Sequence, residues 1–188
     1  DAGSIFLVQG DALRFSYVHN DTLFKGGSTD RSLYADFTVP VDETSVVGYV
    51  ASRGETLFID DAYALDPDLP YHHNSSYDRK TGYRTTSMLT VPLQSLQDRM
   101  VGVMQLINAT DDGGNVVPFE KEQGSLMPIL ANHAATAIER GIMTRELILR
   151  MMKMAELRDP TETGAHVQRV GAYSAEIYKR WAHNRNAA

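Results

Sequence analysis

The stretch that decides the fold is Gly82–Asn108, GYRTTSMLTVPLQSLQDRMVGVMQLIN. It holds two apolar runs of strand length, Met88 to Leu93 and Val101 to Ile107, each bounded by polar residues. Gln94-Ser95-Leu96-Gln97-Asp98-Arg99 joins them, a connection short enough for antiparallel neighbours. Gly102 lies inside the second run, where a glycine marks a bulge or a close approach of another backbone.

Upstream the pattern is again that of sheet. Ser4 to Val8 is apolar, and Leu13, Phe15 and Tyr17 alternate with Arg14 and Ser16, which predicts a half-buried strand with those three on one face. Gln9-Gly10-Asp11 between them reads as a hairpin turn. Thr56 to Ile59 is a further strand. Thr44 or Ser45 caps a short helix carrying Val46, Val47, Val50 and Ala51, stopped by Gly54. From Ala62 to Thr86 no periodicity is visible. A segment this long is functional or disordered, and its Tyr63, Tyr71, Tyr77 and Tyr83 either cover the core or line a site.

Downstream the period changes to that of helix. Leu126, Ile129, Leu130, Ala134, Ala137 and Ile138 recur at helical spacing, with Pro128 marking a kink or a late start. The helix is predicted from about Glu122 to Leu157, on the order of 50 Å long. Its distal part carries Ile142, Met143, Leu147, Ile148, Leu149, Met151, Met152 and Met154, which need a partner. The preferred partner is a second copy in a parallel coiled coil, giving a homodimer; the alternative is the remainder of a longer protein.

Composition excludes several function classes. The 188 residues carry 24 Asp and Glu against 18 Lys and Arg, a net charge of −6, whereas nucleic-acid binders carry a basic stripe. There is no cysteine, so disulfides, thiolate metal sites and covalent attachment of a bilin are excluded. No apolar run approaches membrane-spanning length and no signal peptide is visible, which predicts a cytoplasmic location. The opening residue is Asp1 and not Met, which reads as a piece of a larger protein.

Residues 1–140 resemble the GAF domain family, through DAGSIFLV…LRFSYVHNDTL, SVVGYVASRGETLFIDDA, and GYRTTSMLTVPL followed by VGVMQLIN, in that order and spacing. The resemblance implies an α+β fold: an antiparallel sheet of about six strands flanked by helices, a ligand cavity under a loop region, and a long C-terminal signalling helix. Residues 158–188, with RDPTETGAHVQRVGAYSAEI, resemble the start of an HD-GYP domain, a metal-dependent phosphodiesterase acting on cyclic di-GMP. That likeness implies His166, and with it Glu162, as metal ligands once the later His-Asp and Gly-Tyr-Pro signatures are supplied from downstream. Neither signature occurs before Ala188, so no metal and no catalysis are expected of this chain by itself. Residues 141–157 form the helical linker between the two parts.

Cyclic-nucleotide-binding GAF domains carry an Asn-Lys-Phe-Asp type motif. Here Asn108 and Phe119 match, but Ala109 stands at the lysine position and Gln123-Gly124 at the acidic pair. A lysine–carboxylate lock cannot form, which lowers the case for cyclic GMP or cyclic AMP and favours a plain connecting loop around Gly113-Gly114. His72-His73 reads as a surface pair with diverging side chains. For an unknown small molecule in the cavity, the wall falls on Tyr77, Tyr83 and Arg84, to stack on a ring or hold an anion, on the hydroxyls of Thr85, Thr86 and Ser87, and on Gln105 of the facing strand. Each of these is otherwise a packing or solvent-facing residue.

Three functions follow. The first is a small-molecule sensor that biases a downstream HD-GYP output domain through the long helix. The second is a ligand-free module that pairs two output domains. The third, an independent enzyme, has no nucleophile–base pair, phosphate loop or metal cluster behind it.

Overall fold

The computed structural model describes residues 1–23, 38–158 and 163–186. It divides into two compact units, Asp1–Glu139 and Arg140–Ala188. The first unit is built on strands β1 (Ala2–Gln9), β2 (Ala12–Asn20), β3 (Thr38–Pro40), β4 (Leu57–Ile59), β5 (Met88–Gln94) and β6 (Met100–Ile107). They form one six-stranded sheet in the order β3-β2-β1-β6-β5-β4, and every neighbouring pair is antiparallel. Two helices, α1 (Val46–Arg53) and α2 (Ser76–Thr81), lie between strands in sequence. A small hairpin, β7 (Ala109–Thr110) with β8 (Val116–Val117), precedes helix α3 (Lys121–Arg158). Helix α4 (Thr163–Asn186) ends the second unit.

The β5–β6 pair forms as its sequence predicts, and Gly102 fulfils both roles open to it. Leu93 pairs with Gly102 and Gln94 with Met100, so Val101 is the extra residue of a bulge. A Cβ on Gly102 would stand 2.1 Å from the Phe6 carbonyl oxygen of β1, a distance no side chain tolerates. Pro92 falls beyond the last β4 pair, where β5 has a single neighbour and a missing N–H is tolerated.

On β2 the simple alternation fails for a local reason. Ile5 pairs with Tyr17 and Phe6 with Phe15, leaving Ser16 as an extra residue. One inserted residue inverts the faces that follow. Leu13 is therefore fully buried, Phe15 packs beside it, and Tyr17 is turned to the other face and is 57% exposed.

Helix α1 is capped at Ser45, whose Oγ accepts the Gly48 N–H at 3.0 Å. Gly54 ends it in the left-handed region at φ 69°, its N–H donating to the Val50 carbonyl. Val47, Val50 and Ala51 pack with Phe6, Leu13, Val39 and Val103 on one face of the sheet. The opposite face carries Leu89, Val91, Leu93 and Val101, packed against Ala131 and Ala135 of α3.

Three expectations require correction. Helix α3 begins at Lys121, ahead of Pro128, so the proline does not mark a late start. Its sheet-facing stripe is Met127, Ala131, Ala134, Ala135 and Ile138, while Leu126, Ile129 and Leu130 are exposed. Small alanines let the helix sit close to the sheet, and the bulkier arc is left outside. Finally, Ala62–Thr86 is not structureless, because it contains α2, ended by Gly82 at φ 71°. Within that segment Tyr71 is core, buried against Tyr49 at 4.7 Å between ring centroids.

In the second unit α4 is a helix of 24 residues. Among the described residues no helix is long and apolar enough to cross a membrane.

Candidate functional site

A cavity of about 350 Å³ opens on the α1 side of the sheet. Its floor is the inner face of the sheet, with Ser4 and Phe6 of β1, Phe15 and Val18 of β2, and Gln105 of β6. The N-terminal turn of α1 closes one side through Val46 and Val47. The strap from His72 to Thr85, including α2, closes the other. The volume is at the small end of the range for small-molecule pockets.

Of the residues predicted for the wall, Tyr77, Tyr83, Thr85 and Gln105 line the cavity. Arg84 and Ser87 do not. The strap is extended where it enters β5, so successive side chains alternate and Arg84 is turned away from Tyr83 and Thr85. Its guanidinium lies 4.4 Å from the Tyr63 ring centroid. Ser87 is fully buried, and its Oγ accepts the Ala109 N–H at 3.2 Å. Gln105 Nε2 donates to Thr90 Oγ1 at 3.2 Å, which fixes its amide on the floor.

The best-connected polar group on the wall is Asp78, which the sequence gave no reason to single out. It is buried, and its carboxylate accepts the Thr85 N–H at 2.8 Å, the Thr85 hydroxyl at 2.9 Å and the Tyr63 hydroxyl at 2.8 Å. Burial pushes its pKa up, but those bonds and the nearby His73 outweigh burial and hold it below the usual carboxylate value. Tyr63 is raised in turn, first by its bond to Asp78 and then by burial. Asp78 sits on α2, which Asn74 helps to start by accepting the Ser76 N–H at 3.0 Å. Asn74 followed by Asp78 and Gly82 was the available signal for this helix.

His73 also corrects an expectation. Only His72 is exposed; the His73 side chain is 11% exposed and lines the cavity. Its Nε2 comes within 3.4 Å of Asp78 Oδ2, yet it is buried without making a hydrogen bond. A buried polar atom left in that condition costs about 1–3 kcal/mol.

Asn108 locks the strap to the sheet. It has φ 56° and is 4% exposed. Its Nδ2 donates to the Tyr83 hydroxyl at 2.9 Å and to the Arg84 carbonyl at 2.8 Å, and its Oδ1 accepts the Thr86 N–H at 2.7 Å. The residues after it form the β7–β8 hairpin, and not a plain loop, closed by Asp111 Oδ1 accepting the Asn115 N–H at 2.8 Å. Burial raises the Tyr83 pKa, the Asn108 bond opposing it.

Glu162 lies outside the described residues, and His166 is exposed on α4. Among the described residues no group of three His, Asp or Glu side chains could hold a metal ion.

Comparison with known proteins agrees with this geometry. The chain is 32% identical over 114 residues to a dual 3',5'-cyclic-AMP and -GMP phosphodiesterase 11A of Takifugu rubripes, covering 60% of the chain and 12% of that relative. It is 34% identical over 114 residues to a dual phosphodiesterase 11 of Drosophila melanogaster, covering 57% of the chain and 8% of the relative. The chain therefore spans about a tenth of the length of these relatives. Among solved structures, the GAF domain of a phosphoenolpyruvate-protein phosphotransferase from Coxiella burnetii has a TM-score of 0.57 at 17% identity, over 78% of this chain and 76% of that one. The GAF-B domain of DevS from Mycobacterium smegmatis has a TM-score of 0.51 at 18% identity, over 78% and 85%. These likenesses show the fold. Residues 1–138 match the GAF domain family, and the chain belongs to it.

Proposed function

We propose that this GAF domain is the small-molecule-sensing part of a cytoplasmic signalling protein, and that occupancy of its cavity is relayed through α3 to a phosphodiesterase output domain. The observation that carries this reading is the placement of cavity and helix on the same strands. Met88 of β5 and Gln105 of β6 line the cavity. Their neighbours Leu89 and Leu106 pack on the opposite face, in the cluster that includes Ala131 and Ala135 of α3. A ligand that moves β5 and β6 thereby moves the seat of the helix. Relay requires that the ligand bind the two helix arrangements unequally.

The output domain proposed is of the HD-GYP type acting on cyclic di-GMP, supported by the RDPTETGAHVQRV stretch and, more broadly, by relatives named as phosphodiesterases. On this reading Glu162 and His166 contribute metal ligands only when joined to downstream residues. The domain acts as a homodimer through α3. Met143, Leu147, Met151 and Met154 are each more than 60% exposed on that helix, an apolar surface that a second copy would cover.

A second reading, a ligand-free pairing module, is favoured by the same exposed helix face. Native mass spectrometry of the purified protein separates the two. A dimer with additional bound mass supports the sensor. A bare dimer favours the pairing module. A bare monomer overturns the relay through a paired α3.

A further inference from the structure

The charge of the cavity wall deepens the sensory reading, on which the inference rests. Among the described residues that line the cavity there is no lysine or arginine. Of the strap's three cations, Arg84 lies over the Tyr63 ring, Arg79 Nη1 donates to Ser75 Oγ at 2.8 Å, and Lys80 is exposed outside the lining. The wall's one carboxylate among the described residues is Asp78, ionised and buried. Three of a carboxylate's roughly four acceptor positions are filled on Asp78, by Thr85 twice and Tyr63 once, which leaves one on Oδ1. Beside it His73 Nε2 is buried and unbonded. Beside Ser4 and Gln105 the floor carries an aromatic part, Phe6 and Phe15 edge to face at 4.7 Å, with Tyr77 and Tyr83 on the strap.

We propose that the cavity is a receptor for a compact aromatic amine, a flat apolar body carrying one protonated nitrogen directed at Asp78. The ring body fits the aromatic part of the floor, and aromatic faces attract a cation. The ammonium supplies N–H donors, which are what the free position on Asp78 requires. A phosphate or carboxylate ligand meets the opposite conditions. It brings negative charge into a low-dielectric space already holding Asp78, with no fixed cation among the described lining residues to receive it.

Three probes sharing one ring system test this by titration calorimetry at low salt: 2-naphthylmethylamine, 2-naphthalenemethanol and 2-naphthoate. The expected order of affinity is amine, then alcohol, then carboxylate, with roughly tenfold or more between the first and last, a difference of about 1.4 kcal/mol. Asp78→Asn is expected to erase the advantage of the amine over the alcohol. Because Asp78 also anchors Thr85, a second variant leaves that anchor alone. His72→Lys places a fixed cation on an exposed lining residue and is expected to narrow or reverse the preference in a folded protein. Equal binding of all three probes, or tightest binding of the carboxylate, overturns the amine assignment while leaving a small-molecule cavity intact. No binding by any probe overturns the amine assignment and counts against the sensory reading as well. An unchanged preference in His72→Lys overturns the electrostatic argument itself.

Discussion

Replacing Asn108 tests whether the strap is held to the sheet as described. Asn108→Ala removes three hydrogen bonds and leaves the Arg84 carbonyl and the Thr86 N–H without their partner. Each group stranded in a part-buried position costs about 1–2 kcal/mol, at the low end of the usual range. The backbone adds a second term. At φ 56° Asn108 is in the left-handed region, which asparagine visits more readily than alanine, so alanine loses roughly a further 1 kcal/mol there. The sum is about 3–5 kcal/mol. For a unit of this size each kcal/mol moves the melting midpoint by roughly 4 °C, giving a fall of about 12–20 °C. Asn108→Gly separates the terms. It loses the same bonds but adopts φ 56° without steric cost, and should be about 1 kcal/mol more stable than the alanine variant. Urea unfolding followed by near-UV circular dichroism reads tyrosines of the sheet unit. Fluorescence of the single tryptophan does not, because Trp181 lies on α4 in the other unit. A cost below about 1 kcal/mol for the alanine variant, or a glycine variant no better than alanine, would refute the lock.

Four further outcomes are expected. Gly102→Ala should prevent the sheet from closing, since the new Cβ meets the Phe6 carbonyl oxygen at 2.1 Å; soluble protein with a wild-type melting curve contradicts the close approach. Ser45→Ala removes the α1 cap and should cost about 1 kcal/mol by urea unfolding, with no loss refuting the cap. Asp78 has a folded pKa below its ordinary 3.8, so its contribution is complete above that pH and is lost as pH falls through the lower folded value. The stability gap between wild type and Asp78→Asn should therefore shrink below about pH 4, and a gap constant down to about pH 2 contradicts the assignment. In the proposed dimer, Leu147→Glu combined with Met151→Glu should yield a monomer by light scattering, with melting of the sheet unit unchanged; a persistent dimer places the contact elsewhere.

How much of this was legible in the sequence depends on whether a feature is set by local period or by meeting across the fold. Met88–Leu93 and Val101–Ile107 were readable because each is a continuous apolar run bounded by polar residues, and the one irregularity, at Val101, falls at the end of its strand. Over Leu13–Tyr17 the strand was readable but its facing was not, because the extra Ser16 breaks the phase and no residue type announces it. On α3 two apolar arcs compete, and hydrophobicity alone favours the larger side chains. The sheet takes the arc with Ala131 and Ala135, since close approach of helix and strand selects small residues, and Leu126, Ile129 and Leu130 remain outside. The cavity divides along the same line. Tyr83, Thr85 and Gln105 reach it from extended segments next to recognisable strands, and the alternation that brings Tyr83 and Thr85 inward should have excluded Arg84. His73 and Asp78 meet only because a turn and α2 fold the strap back on itself. No spacing rule joins a histidine to an aspartate five residues on through such a path. Yet that pair brings into the wall the one carboxylate among the described lining residues. Reading the strap as a row of contiguous residues put Arg84 in the wall and gave it a cationic group; folding the strap removes the arginine and puts a carboxylate in its place. The reversal changes the class of molecule the cavity should be tested with, from anions to amines.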